Sequence, residues 1–99
     1  MQPMLSQKRV NDSVYAVAPG VYCCLRAKGR AYLFKERAKS FFEIDGATLV
    51  FWSQFDGRRS LQEIADDLNA KGYKVEQSGV HFIWETCRQL KRKGYLSCY

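Results

Sequence analysis

The chain has 99 residues, and 16 Lys plus Arg against 10 Asp plus Glu give it a net charge of +6. A chain of this size makes one domain around one modest core, and its charge suits an acidic partner, nucleic acid or peptide, without choosing between them. No apolar run approaches the ~20 residues that span a bilayer, and MQPMLSQKRV lacks the apolar centre of a signal peptide, so no membrane partner is expected and the protein reads as cytoplasmic. In that compartment Cys23, Cys24, Cys87 and Cys98 are expected as thiols.

Residues 1–13 are polar and aperiodic, which predicts a flexible tail ahead of a single domain over 14–99. From Val14, the stretch VYAVAPGVYCCLRAKGRAYLF is rich in Val, Tyr, Phe and Cys. Pro19-Gly20 and Lys28-Gly29 punctuate it, so it predicts two strands with a hairpin at Ala27 to Arg30. After the charged turn Lys35-Glu36-Arg37, Lys39 to Ile44 alternates as a third strand, with Phe42 and Ile44 on one face and Lys39, Phe41 and Glu43 on the other. Asp45 is placed to cap a first helix of about ten residues that ends at Asp56-Gly57. Ser60-Leu61-Gln62-Glu63 fits a capping box at the head of a second helix, followed by Leu61, Ile64, Ala65 and Leu68 at helical spacing. Beyond Lys71-Gly72-Tyr73, a third helix carries the stripe Val80, Ile83, Trp84, Cys87 and Leu90. Its last turn, Lys91-Arg92-Lys93 before Gly94, sets cations at the negative end of the helix dipole. The expected fold is α+β: a three-stranded antiparallel sheet followed by three helices, in a winged helix-turn-helix arrangement.

The run IDGATLVFWSQFDGRRSLQEIADDLN resembles the signature of PqqD-like proteins, also called RiPP recognition elements. Asp45, Trp52, Asp56, Gly57, Ser60, Glu63 and Ile64 stand at the family's spacings, and LKRKGYL, from Leu90 to Leu96, matches its ending. The resemblance covers roughly residues 20–96 and departs from the family at Cys23-Cys24, at Gly46 and at Phe82. It implies a peptide-binding chaperone of natural product or cofactor biosynthesis. Such a domain holds the leader of a ribosomally made precursor as an added strand beside its third strand, against the third helix. It then delivers the peptide to a modifying enzyme such as a radical SAM or other maturase. The implied contacts are Lys39, Phe41, Phe42, Glu43 and Ile44 on the strand and Phe82, Trp84, Arg88 and Lys91 on the helix, with Arg92 in the same basic group. No cofactor is implied, and a homodimer is compatible with this reading. A third reading is a purely structural subunit or a domain cut from a larger maturase, against which stand the start at Met1 and the end just past the family's boundary.

The physical logic of an edge strand supports the same site. Unpaired amides and carbonyls supply affinity to an added strand, and pockets for alternate side chains supply selectivity. Plainer roles compete for several residues. Val50, Phe51 and Trp52 read as core that supports the site. Phe41, opposite in face to Phe42 and Ile44, is either a ligand contact or an outward-facing aromatic. Phe82 sits about 160° from Trp84 on a helix and is either surface or a wall of the cleft. The basic residues suit a solvated face, and His81 suits a surface position.

An enzyme is not expected, because the sequence has no phosphate loop or nucleophile motif and has one histidine. Zinc binding by Cys23 or Cys24 with Cys87, Cys98 and His81 is disfavoured by spacing. The rival function is a winged-helix DNA-binding transcriptional regulator. Against it, the third helix opens with Glu76, Gln77, Ser78, Gly79 and His81 and continues to Glu85, so that acids would face phosphates where base readout takes place.

Overall fold

The computed structural model describes residues 7–26 and 29–99, with side chains from residue 10 onward. In chain order the elements are α1 (Gln7–Asp12), β1 (Tyr15–Val17), β2 (Val21–Arg26), β3 (Arg30–Lys35), β4 (Phe41–Ile44), α2 (Gly46–Trp52), α3 (Leu61–Ala70), α4 (Gln77–Arg92) and β5 (Leu96–Cys98). The expected third strand is therefore β4 and the expected third helix is α4.

The three central strands form an antiparallel sheet in the order β2-β3-β4. Period-two alternation sorts their side chains. Ala31, Leu33 and Ile44 are buried towards the helices, while Phe41 and Glu43 point the other way. Helices follow the sheet, so the fold is α+β and winged-helix-like. The hairpin expected at Ala27 to Arg30 lies partly outside the described residues, and the flanking Arg26 and Arg30 face each other in register.

Local chemistry sets each helix end. Asp45 accepts the amide proton of Thr48 at 2.8 Å, and α2 then stops at Trp52. This makes it shorter than the ten or so residues expected, because the amides of Gln54 and Phe55 bond back to Phe51 and Trp52 and tighten the turn. The capping box of α3 is complete: Ser60 Oγ accepts from the Glu63 amide at 3.1 Å, and Glu63 accepts from the Ser60 amide at 2.8 Å. Leu61, Ile64, Ala65 and Leu68 form its buried face, meeting Val80, Ile83, Cys87 and Leu90 of α4 in one core. Each large aliphatic side chain buried there contributes about 1.5–3 kcal/mol. Gly94 follows α4 at φ 85°, a left-handed conformation open to glycine.

Three features depart from expectation. Residues 7–12 are helical within the expected tail, and Val10 is buried in the core. One apolar residue among polar neighbours carries no periodicity, yet a single side chain can fill a gap between helices. A second sheet pairs β1 with β5, with Val17 opposite Leu96 and Tyr15 opposite Cys98. Lys39 lies in the loop ahead of β4, because pairing with β3 begins at Phe41 opposite Phe34.

Candidate functional site

β4 is the last strand of its sheet. β3 covers one side, and among the described residues no strand covers the other. Alternate residues of an antiparallel strand turn their N–H and C=O groups outward, so half the backbone groups of β4 face away from β3.

Two contacts relate β4 and the start of α2 to the ends of α4. Ala47, just beyond the end of β4, shares a pocket with Gly79 and Phe82 near the start of α4. Phe42, near the start of β4, meets the ring of Tyr95 just past the end of α4, with centroids 6.0 Å apart. These contacts bring the start of α4 against α2 and its end near Phe42 of β4.

Between α2 and the start of α4 a groove deepens into a pocket of about 330 Å³. Its walls are mostly apolar, with Val50 and Phe51 from α2, Leu68 from α3, Val75 from the following loop, and Phe82 and Ile83 from α4, while Tyr73, Lys74, Glu76 and Ser78 add polar and charged groups. Asn69 holds the loop wall in place. Its side chain accepts from the Val75 amide at 2.7 Å and donates to the Val75 carbonyl at 3.1 Å, as a neighbouring strand would. Such a cavity suits a large apolar side chain carried by an extended backbone.

The sequence-derived candidates separate into three places. Phe42 and Ile44 lie on the core-facing side of β4, with Ile44 buried, and Phe82 is half exposed on the pocket wall. Phe41 and Glu43 lie on the opposite sheet face. There Phe41 packs on Tyr32 and Phe34, and Glu43 pairs with Arg30 at 3.0 Å.

Trp84, Arg88 and Lys91 occupy the other flank of α4, across the buried stripe. Gln77, Trp84 and Lys91 recur every seven residues on that flank, and Gln77 donates to Asn11 of α1 at 2.6 Å. The Arg88 guanidinium lies 5.0 Å over the Trp84 ring and 3.6 Å from Glu85, and His81 is exposed, 3.5 Å from the same Glu85. Arg88, Lys91 and Arg92 do not line this pocket. Phe82 and Trp84, close in sequence, diverge around the helix, and the buried stripe lies between them.

Ala47, Val75 and Gly79 were missed from the sequence. Small residues leave space, and their signal in a sequence is the absence of bulk. Gly46 has a legible reason in the structure, because a Cβ there would come within 3.3 Å of the Gly29 carbonyl. Gly29 thus lies close over the start of α2.

Burial pushes the Cys87 thiol well above its ordinary value, with Cys98 adding to the effect, which leaves it a packing residue. All four cysteines are free. Among the described residues, no helix is long and apolar enough to cross a membrane.

No family model and no curated protein matches the chain. Solved structures similar to it include TbiB1 in complex with the TbiA(beta) leader peptide, with TM-score 0.61 and 21% identity over 82% of this chain and 93% of that chain. They also include the heterocyclase TruD, with TM-score 0.59 and 16% identity over 88% of this chain and 12% of that chain. At these identities the likeness shows a shared fold.

Proposed function

We propose that this chain is a leader-binding module of the PqqD-like kind. It takes the leader of a ribosomally made precursor peptide as an added strand on β4 and sets an apolar leader side chain into the pocket between α2 and α4. The observation that carries this reading is an edge strand, open on one side among the described residues, with a largely apolar pocket just beyond the end of that strand. The edge supplies sequence-tolerant backbone bonds, and the pocket supplies selectivity. The shared fold with TbiB1, a protein solved with a leader peptide bound, supports the same reading.

In this reading the chain binds and presents the peptide, and a separate enzyme modifies it. The match to TruD, where a similar fold makes up 12% of a heterocyclase chain, supports a link between such a module and a modifying enzyme. The single histidine lies on an exposed helix face beside Glu85, away from the groove, which suits a binding role without catalysis.

The test is a titration of the full chain with a labelled synthetic leader from a precursor encoded beside its gene, and in parallel with duplex DNA, at several salt concentrations. Saturable peptide binding that weakens mildly with salt is expected, because strand bonds and buried side chains are little screened. A DNA-binding protein neutralising ~6 phosphates would lose about a thousandfold in affinity between 50 and 200 mM salt. That steep slope, with no saturable peptide binding, would promote the regulator reading.

A further inference from the structure

The flank of α4 across from the pocket carries a concentrated positive charge. Arg88, Lys91 and Arg92 surround an open hollow of about 340 Å³, and none of them lines the pocket beside α2. The negative end of the helix dipole accounts for Lys91 and Arg92, but its effect falls off within the last turn and does not reach Arg88, a full turn earlier. The Arg88 guanidinium lies 5.0 Å over the Trp84 ring, and a stacked guanidinium keeps its in-plane N–H donors for an anion. Its ion pair with Glu85, at 3.6 Å, is longer than a hydrogen bond. Among the described residues no carboxylate pairs with Lys91 or Arg92, whereas Arg30 is matched by Glu43 and Arg59 by Asp56 and Asp67.

We infer that this cluster docks a carboxylate-rich segment of a protein partner. Charge complementarity selects the occupant. Three cations that the chain's own carboxylates leave largely unmatched, on a protein of net charge +6, draw in an acidic surface from a distance and bond to its carboxylates on contact. The spacing agrees. Arg88 and Arg92 are four residues apart, about 6 Å along the helix, and alternate carboxylates of an extended acidic segment stand about 6.5 Å apart. Nucleic acid suits the cluster less well. One turn of helix offers three cations, whereas a nucleic-acid interface neutralises ~6–10 phosphates, and Glu85 on the same flank repels a phosphate backbone. The hollow and the pocket share no lining residue, so the acidic segment leaves the pocket open to the leader of the function proposed above.

Fluorescence anisotropy of labelled octaglutamate, titrated with the full chain at physiological ionic strength, tests this with no leader present, so its outcome is independent of the proposed function. Saturable binding is expected. Arg88→Gln, Lys91→Gln and Arg92→Gln together should weaken it about tenfold, the sum of three exposed ion pairs of ordinary strength. A charge-matched variant with the exposed Arg37, Lys39 and Lys71 each replaced by Gln should stay within about twofold of the parent, because distant charges are screened. Octaglutamate should also change the emission of Trp84, which lies under the Arg88 guanidinium, and Trp84→Phe should lose that change while Trp52 still emits. No saturable binding, or equal losses in the two triple variants, would overturn the site. Tighter binding of an oligonucleotide, lost in the cluster variant, would overturn the occupant.

Discussion

The ring of Phe41 meets that of Tyr32 edge-on at 5.2 Å, on the sheet face turned away from the helices. Phe41 is 59% exposed and Phe82 is 51% exposed, yet Phe82 forms part of a pocket wall and Phe41 packs on its own sheet. Similar exposure thus accompanies different work. Phe41→Ala should lower stability by about 1 kcal/mol through the lost aromatic pair and weaken leader binding little. Phe82→Ala should leave the melting temperature nearly unchanged and weaken binding about tenfold or more, equivalent to about 1.4 kcal/mol. Thermal unfolding and peptide titration of both variants check this ordering.

Gly79 offers a way to close the pocket without breaking the fold. A Cβ at this helical position meets nothing within 4 Å. Gly79→Leu replaces a glycine in the first turn of α4, which disfavours a helix by up to about 1 kcal/mol, and its side chain enters the pocket proposed for the leader. The variant should melt at a higher temperature than the parent and lose most of its leader affinity. A stabilised variant with full affinity would show that the peptide does not use this pocket.

Trp52 lies in the core and packs on Phe55 with centroids 6.3 Å apart. Trp52→Ala should cost about 3–5 kcal/mol, because a small core cannot close over so large a cavity. Denaturant unfolding measures this directly.

Asp56 organises the loop between α2 and α3. It accepts from the amides of Arg59 and Arg58 at 3.0 and 2.9 Å, and from Arg59 Nε at 3.1 Å. These bonds, led by the Arg59 amide, hold its carboxyl at about 2, below its usual 3.8. A carboxyl held low in the folded state stabilises fully above its unfolded value and ceases to do so as pH falls through the folded one. Asp56→Asn should therefore be less stable than the parent at neutral pH, and the gap should close as pH falls from about 4 to about 2. Acid unfolding curves of the two proteins give the comparison.

The strands and helices that alternate or repeat over many residues were legible in the sequence. The capping box at Ser60 and the stripe from Val80 to Leu90 needed no tertiary information, because both are local patterns. Pairing of β1 with β5 was not legible. Three residues cannot show a period, and Val17 meets Leu96 only once the helices have brought them together. The strand edge of the candidate site could be read from FFEI, whereas the pocket comes from small residues on two helices and a loop held by Asn69. The flank of α4 that Trp84 takes was not legible for a related reason. One helical position decides which flank a residue takes, and the buried stripe alone does not say which flank meets β4.

Amide hydrogen exchange with and without a bound synthetic leader tests strand addition most directly. Exchange should slow at the outward-facing amides of Phe41 to Ile44 and around Gly79 to Phe82, while Tyr22 to Arg26 and the capping region near Ser60 stay unchanged. Unchanged exchange across β4 with the leader bound, or protection confined to the Trp84–Lys91 flank, would contradict docking at this edge.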